Sequence, residues 1–223
     1  GLRLSKDETI VRTPFEVRHM GSKYPIFSFD FIGAKKGILP TSYDYLRLEG
    51  RMQYRLNLPP VGYSRLMLEG GKIFGKVPYL LLKLHEGNGT YFYDRYAFSC
   101  MNFYEFSSDA WISFFYEHHF NGFLLGRVPL LKKLNWREVF VFKGVYGTLS
   151  ARNDGSLPNT KAVMLFPVGM SSVEHPYLET GFGIENIFRL LRVDCIWRLT
   201  HHRAVPGLSI PTFTVNFSLN LKF

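Results

Sequence analysis

Residues 211–223 read PTFTVNFSLNLKF, and apolar and polar side chains alternate along them without a break. Successive side chains of a β-strand point to opposite faces, so this stretch predicts a strand with one apolar and one polar face. A transmembrane β-strand needs roughly 9–11 residues, and the alternation is long enough to span a bilayer. A half-buried strand of a soluble sheet is the competing interpretation. The apolar set is Phe213, Val215, Phe217, Leu219, Leu221 and Phe223.

Two further stretches, 43–58 and 191–200, alternate in the same way. The polar positions of the first stretch are mostly charged. Such a ladder fits the water-filled interior of a membrane barrel, and it also fits the solvated face of a soluble sheet. The polar positions are Arg47, Glu49, Arg51, Gln53 and Arg55.

Composition restricts the class of protein. The 223 residues suffice for one β-barrel or sandwich domain, and no run approaches the ~18 consecutive apolar residues of a membrane-spanning helix. Aromatic residues make up 17% of the chain, an excess that the girdles and lipid-facing band of a membrane barrel would account for. The net charge of +9 predicts an anionic partner. No helix-turn-helix, zinc-finger or RNP signature is present, so we expect lipopolysaccharide, anionic headgroups or an anionic solute rather than nucleic acid.

About nine strands are predicted, at a spacing typical of an all-β protein. The sequence predicts a hairpin between 96–106 and 111–121, and long connections at 76–95, 122–135 and 151–175. If the last residue lies on the periplasmic side, alternating strand directions place the first two connections there and the third outside. The short-turn rule for periplasmic connections does not favour that placement of 76–95 and 122–135.

The beginning of the chain lacks the apolar core of a signal peptide. Bacterial single-chain barrels have an even number of strands. The count therefore predicts either a tenth strand within residues 1–20 or a missing N-terminal portion of the barrel, and we expect residues 1–223 to be one barrel domain of about 9–10 strands.

Four strings carry a resemblance to a known family: YFYDRYAFSCMNFYEFSSD at 91–109, YEHHFNGFLLGRVPLLKKLNWREV at 116–139, PYLETGFGIENIFRLLRVDCIWRLT at 176–200, and the terminal strand ending on Phe223. They resemble the C-terminal part of a Bacteroidota outer-membrane family without assigned function, usually found as a barrel behind a carboxypeptidase-regulatory-like domain. The final aromatic residue also resembles the closing-strand signature of outer-membrane barrels. The resemblance implies an all-β, antiparallel transmembrane β-barrel in the Gram-negative cell outer membrane. It also implies that residues 1–223 lack N-terminal strands and an N-terminal periplasmic domain of the family. It also implies contact with the lipid bilayer and lipopolysaccharide, and insertion by the outer-membrane barrel-assembly machinery.

The predicted barrel interior is the candidate site. Its side chains carry both signs of charge, and we expect them to pair with one another, because an unpaired charge in a narrow lumen is costly. The alternative is a lining that selects what passes through. The set comprises Arg47, Glu49, Arg51, Arg55, Arg65, Glu69, Glu117, His119, Glu179, Arg192, Asp194 and Arg198.

No catalytic residue, cofactor or metal site is predicted. The adjacent histidines at 118–119 and 201–202 would point to opposite faces of a strand, so neither pair can present both rings to one ion. Cys100 and Cys195 are far apart and lack CxxC spacing, which indicates isolated buried thiols.

Two functions remain. One is an outer-membrane barrel in transport, export or envelope assembly; the other is a soluble lipocalin-like barrel that binds a lipid-like or anionic ligand. The apolar residues face outward in the first and inward in the second. Aromatic residues near predicted strand ends favour the first, namely Tyr54, Tyr63, Trp111, Phe120, Trp136 and Trp197.

Overall fold

The computed structural model describes residues 1–13, 15–37, 42–159, 161–202 and 209–219, without the side chains of 18–20. The chain is all-β, as predicted, with a few short helical turns. The strands are β1 (Leu2–Leu4), β2 (Thr9–Arg12), β3 (Val17–Gly21), β4 (Ile26–Ala34), β5 (Tyr45–Asn57), β6 (Tyr63–Gly75), β7 (Lys83–Leu84), β8 (Phe106–Ser108), β9 (Ala110–His119), β10 (Arg137–Thr148), β11 (Ser171–Ser172), β12 (Tyr177–Ile187), β13 (Leu191–Arg198) and β14 (Phe213–Leu219).

The helical turns are confined to two connections. Tyr79–Leu81 and Leu125–Arg127 are 3-10 turns, and α1 is Pro129–Lys132. In the described part of the chain, no helix is long and apolar enough to span a membrane.

One nine-stranded sheet dominates the fold, in the order β1-β4-β5-β6-β9-β10-β12-β13-β14. All of its neighbouring strands are antiparallel. Three-stranded (β11-β8-β7) and two-stranded (β2-β3) sheets complete the structure. A closed barrel is not found: within the described residues, β1 and β14 remain the two edges and do not pair with each other.

The hairpin predicted between 96–106 and 111–121 is wrong. β9 pairs with β6 and β10 instead, and residues 96–105 form no strand. Gly87 and Phe98 form an isolated bridge within the same connection. Aromatic density between 91 and 106 imitated strand alternation, but the Phe98 and Phe106 rings pack in a cluster with Phe115 and Tyr177 of the sheet.

The missing strand at 96–106 also changes the end of the sheet at which 76–95 lies. Two strands, β9 and β10, separate this connection from 151–175 instead of the three predicted. The strand ends that lead into 76–95 and 151–175 therefore lie at the same end of the sheet, and not at opposite ends. The strand ends joined by 76–109, by 149–176 and by 199–212 lie at that end, whereas the strand ends joined by 58–62, by 120–136 and by 188–190 lie at the other.

One face of the large sheet, which we call the apolar face, carries apolar side chains from edge to edge. Cross-strand neighbours there include Trp197 with Phe213 and Phe140 with Phe182. Many of its large side chains are exposed to solvent. They include Leu2, Leu4, Phe27, Phe31, Leu46, Leu56, Phe74, Ile112, Tyr146, Phe182, Trp197, Phe213, Phe217 and Leu219.

The opposite face, which we call the charged face, is covered by residues 76–105, the covering segment. Two apolar clusters hold this segment against the sheet. In one, Phe98 and Met101 of the segment pack against Phe115 and Tyr177 of the sheet. In the other, Val77 and Leu82 pack with Trp111. The core of the protein therefore lies between the charged face and the covering segment.

Candidate functional site

All the residues predicted for the barrel interior lie on the charged face. The register shows this directly, because cross-strand neighbours share a face. One row runs Arg55, Arg65, Glu117 from β5 to β9, and another joins Glu179 to Arg198 between β12 and β13. The strand periodicity was therefore sufficient to group them.

Glu117 is the centre of the first polar network and is 1% exposed. Its carboxylate accepts hydrogen bonds from Tyr93 Oη at 2.6 Å, Arg95 Nε at 2.6 Å and Arg192 Nη2 at 3.1 Å. Arg65 Nη1 lies farther away, at 4.0 Å. Two of these donors belong to the covering segment, so the carboxylate joins the segment to the sheet.

The contact between Arg192 and Glu117 shows that the sheet is curved. Two strands, β10 and β12, lie between them, which in a flat sheet means a separation of about 14 Å across the strands. They are also out of register, because the β13 residue in line with Glu117 is Ile196. For the guanidinium and the carboxylate to meet, the sheet must curl toward its charged face.

Glu179 anchors the covering segment a second time and is fully buried. It accepts the backbone N–H groups of Ser99 at 2.8 Å and Cys100 at 2.6 Å, and the Tyr177 hydroxyl at 2.6 Å. Burial, with the Glu179 carboxylate next in effect, raises the pKa of the Cys100 thiol to about 12. The thiol is therefore protonated at neutral pH.

Lys143, also on the charged face, is a site residue that the sequence prediction missed. Its ammonium is buried and donates to the backbone carbonyls of Asp94 at 2.8 Å and Ala97 at 2.5 Å, and it lies 4.5 Å from the centre of the Tyr93 ring. The available signal was its position two residues from both Val141 and Val145, which places all three side chains on the same face of β10.

Apart from Arg55, which has no ion-pair partner among the described residues, the remaining charges predicted for the interior are also paired. Glu69 accepts from Arg51 Nη2 and Lys83 Nζ, each at 2.6 Å, and Arg47 bonds Glu49. Four further contacts involve buried charges, and the two made by Arg198 join the sheet to the covering segment. They are Arg192–Asp194 and Arg198–Glu105 ion pairs, Arg198 to the Cys100 carbonyl, and His119 to Glu185. The charges were expected to pair with one another within the sheet. Several of their partners, however, belong to the covering segment.

The covering segment reaches far along the charged face. Phe92 forms a parallel bridge with Phe217 of the edge strand β14, with backbone hydrogen bonds from Tyr93 to Phe217 and from Phe217 to Tyr91. Asn216 adds a side-chain bond to the Thr90 carbonyl. The segment therefore leaves the sheet at one end, crosses its charged face and meets an edge strand.

The histidines behave as the strand geometry predicts. His118 bonds Ser64 on the apolar face, whereas His119 bonds Glu185 on the charged face. Among the residues that the structure describes, no group of three potential metal ligands is present. His85, in the covering segment, lies 2.9 Å from the Ser108 hydroxyl, and burial lowers its pKa to about 3.

The predicted closing-strand signature is placed in part. Phe213, Val215, Phe217 and Leu219 lie on the apolar face of β14. Leu221 and Phe223 lie outside the described residues. Of the aromatic residues near predicted strand ends, Tyr63 and Trp111 lie on the charged face, so these two do not support a lipid-facing aromatic girdle. Cys195, expected to be buried, lies half-buried on the apolar face, and both thiols are free.

Comparison with known protein families identifies the family of the chain. Residues 7–151 match the C-terminal domain of a family of unknown function (DUF5686). No curated protein matches the chain. The predicted membership of a family without assigned function is thereby confirmed.

Proposed function

Because the chain belongs to the DUF5686 family of unknown function, its role has to be argued from the fold, and we propose that it is an integral outer-membrane β-barrel protein. In this proposal the apolar face meets lipid, and the covering segment fills the polar interior. The protein acts in transport, export or envelope assembly, and the bilayer, lipopolysaccharide and the barrel-assembly machinery are its expected partners.

The apolar face is the observation that carries the proposal. Phe31, Phe182 and Leu219 are each more than 60% exposed, and they stand on strands spread across the sheet. Monomeric soluble proteins rarely expose apolar patches larger than a few hundred Å². A bilayer removes the cost of such exposure, because lipid replaces water around these side chains.

The distribution of charge supports the same conclusion. A soluble sheet buries its apolar face, but here the chain covers the face that carries Glu117, Glu179 and Lys143. The lipocalin-like alternative requires the apolar side chains to face inward, which is the reverse arrangement. The curl toward the charged face also fits a barrel wall with a polar interior.

Outer-membrane barrels have short periplasmic turns and longer outer loops. The long connections 76–109 and 149–176 join strand ends at one end of the sheet, and the short turns 58–62 and 188–190 lie at the other, where the longer connection 120–136 departs from the rule. We assign the end with 76–109 and 149–176 to the cell exterior. The covering segment then enters the interior from outside, and passage of a solute requires its displacement.

The proposal is tested by folding the chain in detergent and in detergent-free buffer, and by following circular dichroism and gel mobility before and after boiling. We expect a β-rich, heat-modifiable species in detergent alone. A monodisperse β-rich protein in plain buffer would contradict the proposal.

A matched pair of variants makes the test residue-specific. Phe182→Arg places a charge on the apolar face, which costs about 2–4 kcal/mol at the bilayer midplane, and should impair insertion into lipid vesicles. Phe188→Arg changes the same residue type in the adjacent turn, where Phe188 is 87% exposed, and should insert like the wild type. Equal insertion of both variants would argue against lipid contact at Phe182.

A further inference from the structure

Two arginines on the charged face stand directly opposite each other. Arg55 of β5 and Arg65 of β6 are cross-strand partners, and like charges in this relation are destabilising. Both guanidiniums lie over the Tyr63 ring, at 4.3 and 5.2 Å from its centre. The ring reduces the repulsion only in part, because it carries no net charge.

The neighbouring carboxylate does not neutralise this pair. Glu117 already bonds Arg95 and Arg192, and Arg65 reaches it only at 4.0 Å. Arg55 makes no ion pair with any described residue. The N–H donors of Arg55 and Arg65 are therefore available to a further acceptor.

These donors line a cavity. Arg55, Arg65 and Arg95 contribute to a cavity of about 1140 Å³, together with Gln53 and Tyr96. Asp7 and Glu8 also line it, and Glu8 is paired with Arg3. Arg65 and Arg95 also line an adjoining cavity of about 770 Å³. The space is thus sufficient for a small-molecule ligand.

We propose that Arg55, Arg65 and Arg95 bind a soluble, multiply charged oxyanion of the phosphate type. Planar guanidinium groups bind such oxygens in bidentate fashion, and the ligand would supply the negative charge that the cross-strand arginines lack. Arg55 and Arg65 lie on the charged face, opposite the face assigned to lipid, which favours a soluble anion over a lipid headgroup. The inference rests on the proposed function, and it names the class of ligand that binds in the polar interior of the protein.

Calorimetric titration of pyrophosphate into the folded chain in zwitterionic detergent tests the site. We expect saturable binding that weakens as sodium chloride is raised, because salt screens the charges. Arg55→Gln and Arg65→Gln should each weaken binding at least tenfold. Arg152→Gln, an exposed arginine in the 149–176 connection, should bind like the wild type.

Absence of binding at millimolar pyrophosphate would overturn the inference, as would equal weakening in the Arg152→Gln control. Binding restricted to phosphatidylglycerol in lipid nanodiscs, with none to free pyrophosphate, would also overturn it. If Arg65→Gln does not fold, Arg55→Gln and Arg55→Lys decide the outcome, because Arg55 is exposed and unpaired. Failure of the wild type to fold in detergent counts against the proposed function, whereas a folded chain that binds nothing counts against this site alone.

Discussion

Removal of the Glu179 carboxylate should release the covering segment from the sheet. Glu179 is fully buried and accepts the backbone N–H groups of Ser99 and Cys100 at 2.8 and 2.6 Å. Glu179→Ala leaves both donors buried without an acceptor. We therefore expect the segment to open locally while the strands of the sheet stay paired.

The magnitude follows from the two lost bonds. Hydrogen bonds to charged groups contribute about 1.5–3 kcal/mol each, so the pair contributes about 3 kcal/mol at the low end. Every 1.4 kcal/mol corresponds to about a tenfold change in an equilibrium constant. The open state of the segment should thus become roughly a hundredfold more populated.

Amide hydrogen exchange measures this opening. The informative amide is Phe98, which bonds the Glu86 carbonyl and not Glu179, so its acceleration reports release of the segment and not loss of its own partner. Amides of β9 and β10 should exchange as in the wild type, and Glu174→Ala, at an exposed position, should change nothing. Unchanged Phe98 exchange, or equal acceleration throughout the sheet, would refute the anchoring role.

Three further outcomes follow from the covering segment and the thiols. Lys143→Met leaves the Asp94 and Ala97 carbonyls without their donor and should speed exchange of the neighbouring segment amides; unchanged exchange would exclude that role. Burial lowers the pKa of His85 to about 3, against an ordinary value of about 6.5. Between these two pH values the imidazole is neutral in the closed segment but takes up a proton in the open one. The closed segment therefore loses stability as pH falls from about 6.5 to 3. Tryptophan fluorescence across that range should show less acid opening in His85→Gln than in the wild type, and identical profiles would contradict the assignment. Thiol labelling in lipid nanodiscs, read by mass spectrometry, should modify Cys195 with an uncharged maleimide but not with a charged one. Cys100, which is buried and has its pKa raised to about 12, should be modified only after unfolding.

Strand periodicity predicted much of the sheet. In β5 and in β13–β14 the alternation is nearly unbroken, so the face of each residue could be read from its position. The charged residues were grouped correctly for that reason. Trp111 was misplaced because proximity to a strand end does not determine which face an aromatic side chain occupies.

The covering segment could not be predicted from the same signal. Residues 76–105 contain little regular structure, and their position depends on contacts with residues distant in sequence, such as Ser99 with Glu179 and Arg95 with Glu117. Periodicity carries no information on contacts of this kind. Lys143 was missed because its partners are backbone carbonyls of that segment.

Tryptophan quenching by lipids brominated along their acyl chains tests contact between the apolar face and the membrane most directly. The chain has three tryptophans, and two single-tryptophan variants suffice, with the other two residues changed to phenylalanine. Trp197 lies on the apolar face and is 41% exposed, whereas Trp111 is buried beneath the covering segment. We predict strong quenching of Trp197 and little quenching of Trp111 in bilayers of brominated lipid. Equal quenching of the two, or none of Trp197, would contradict the proposal that this sheet meets lipid.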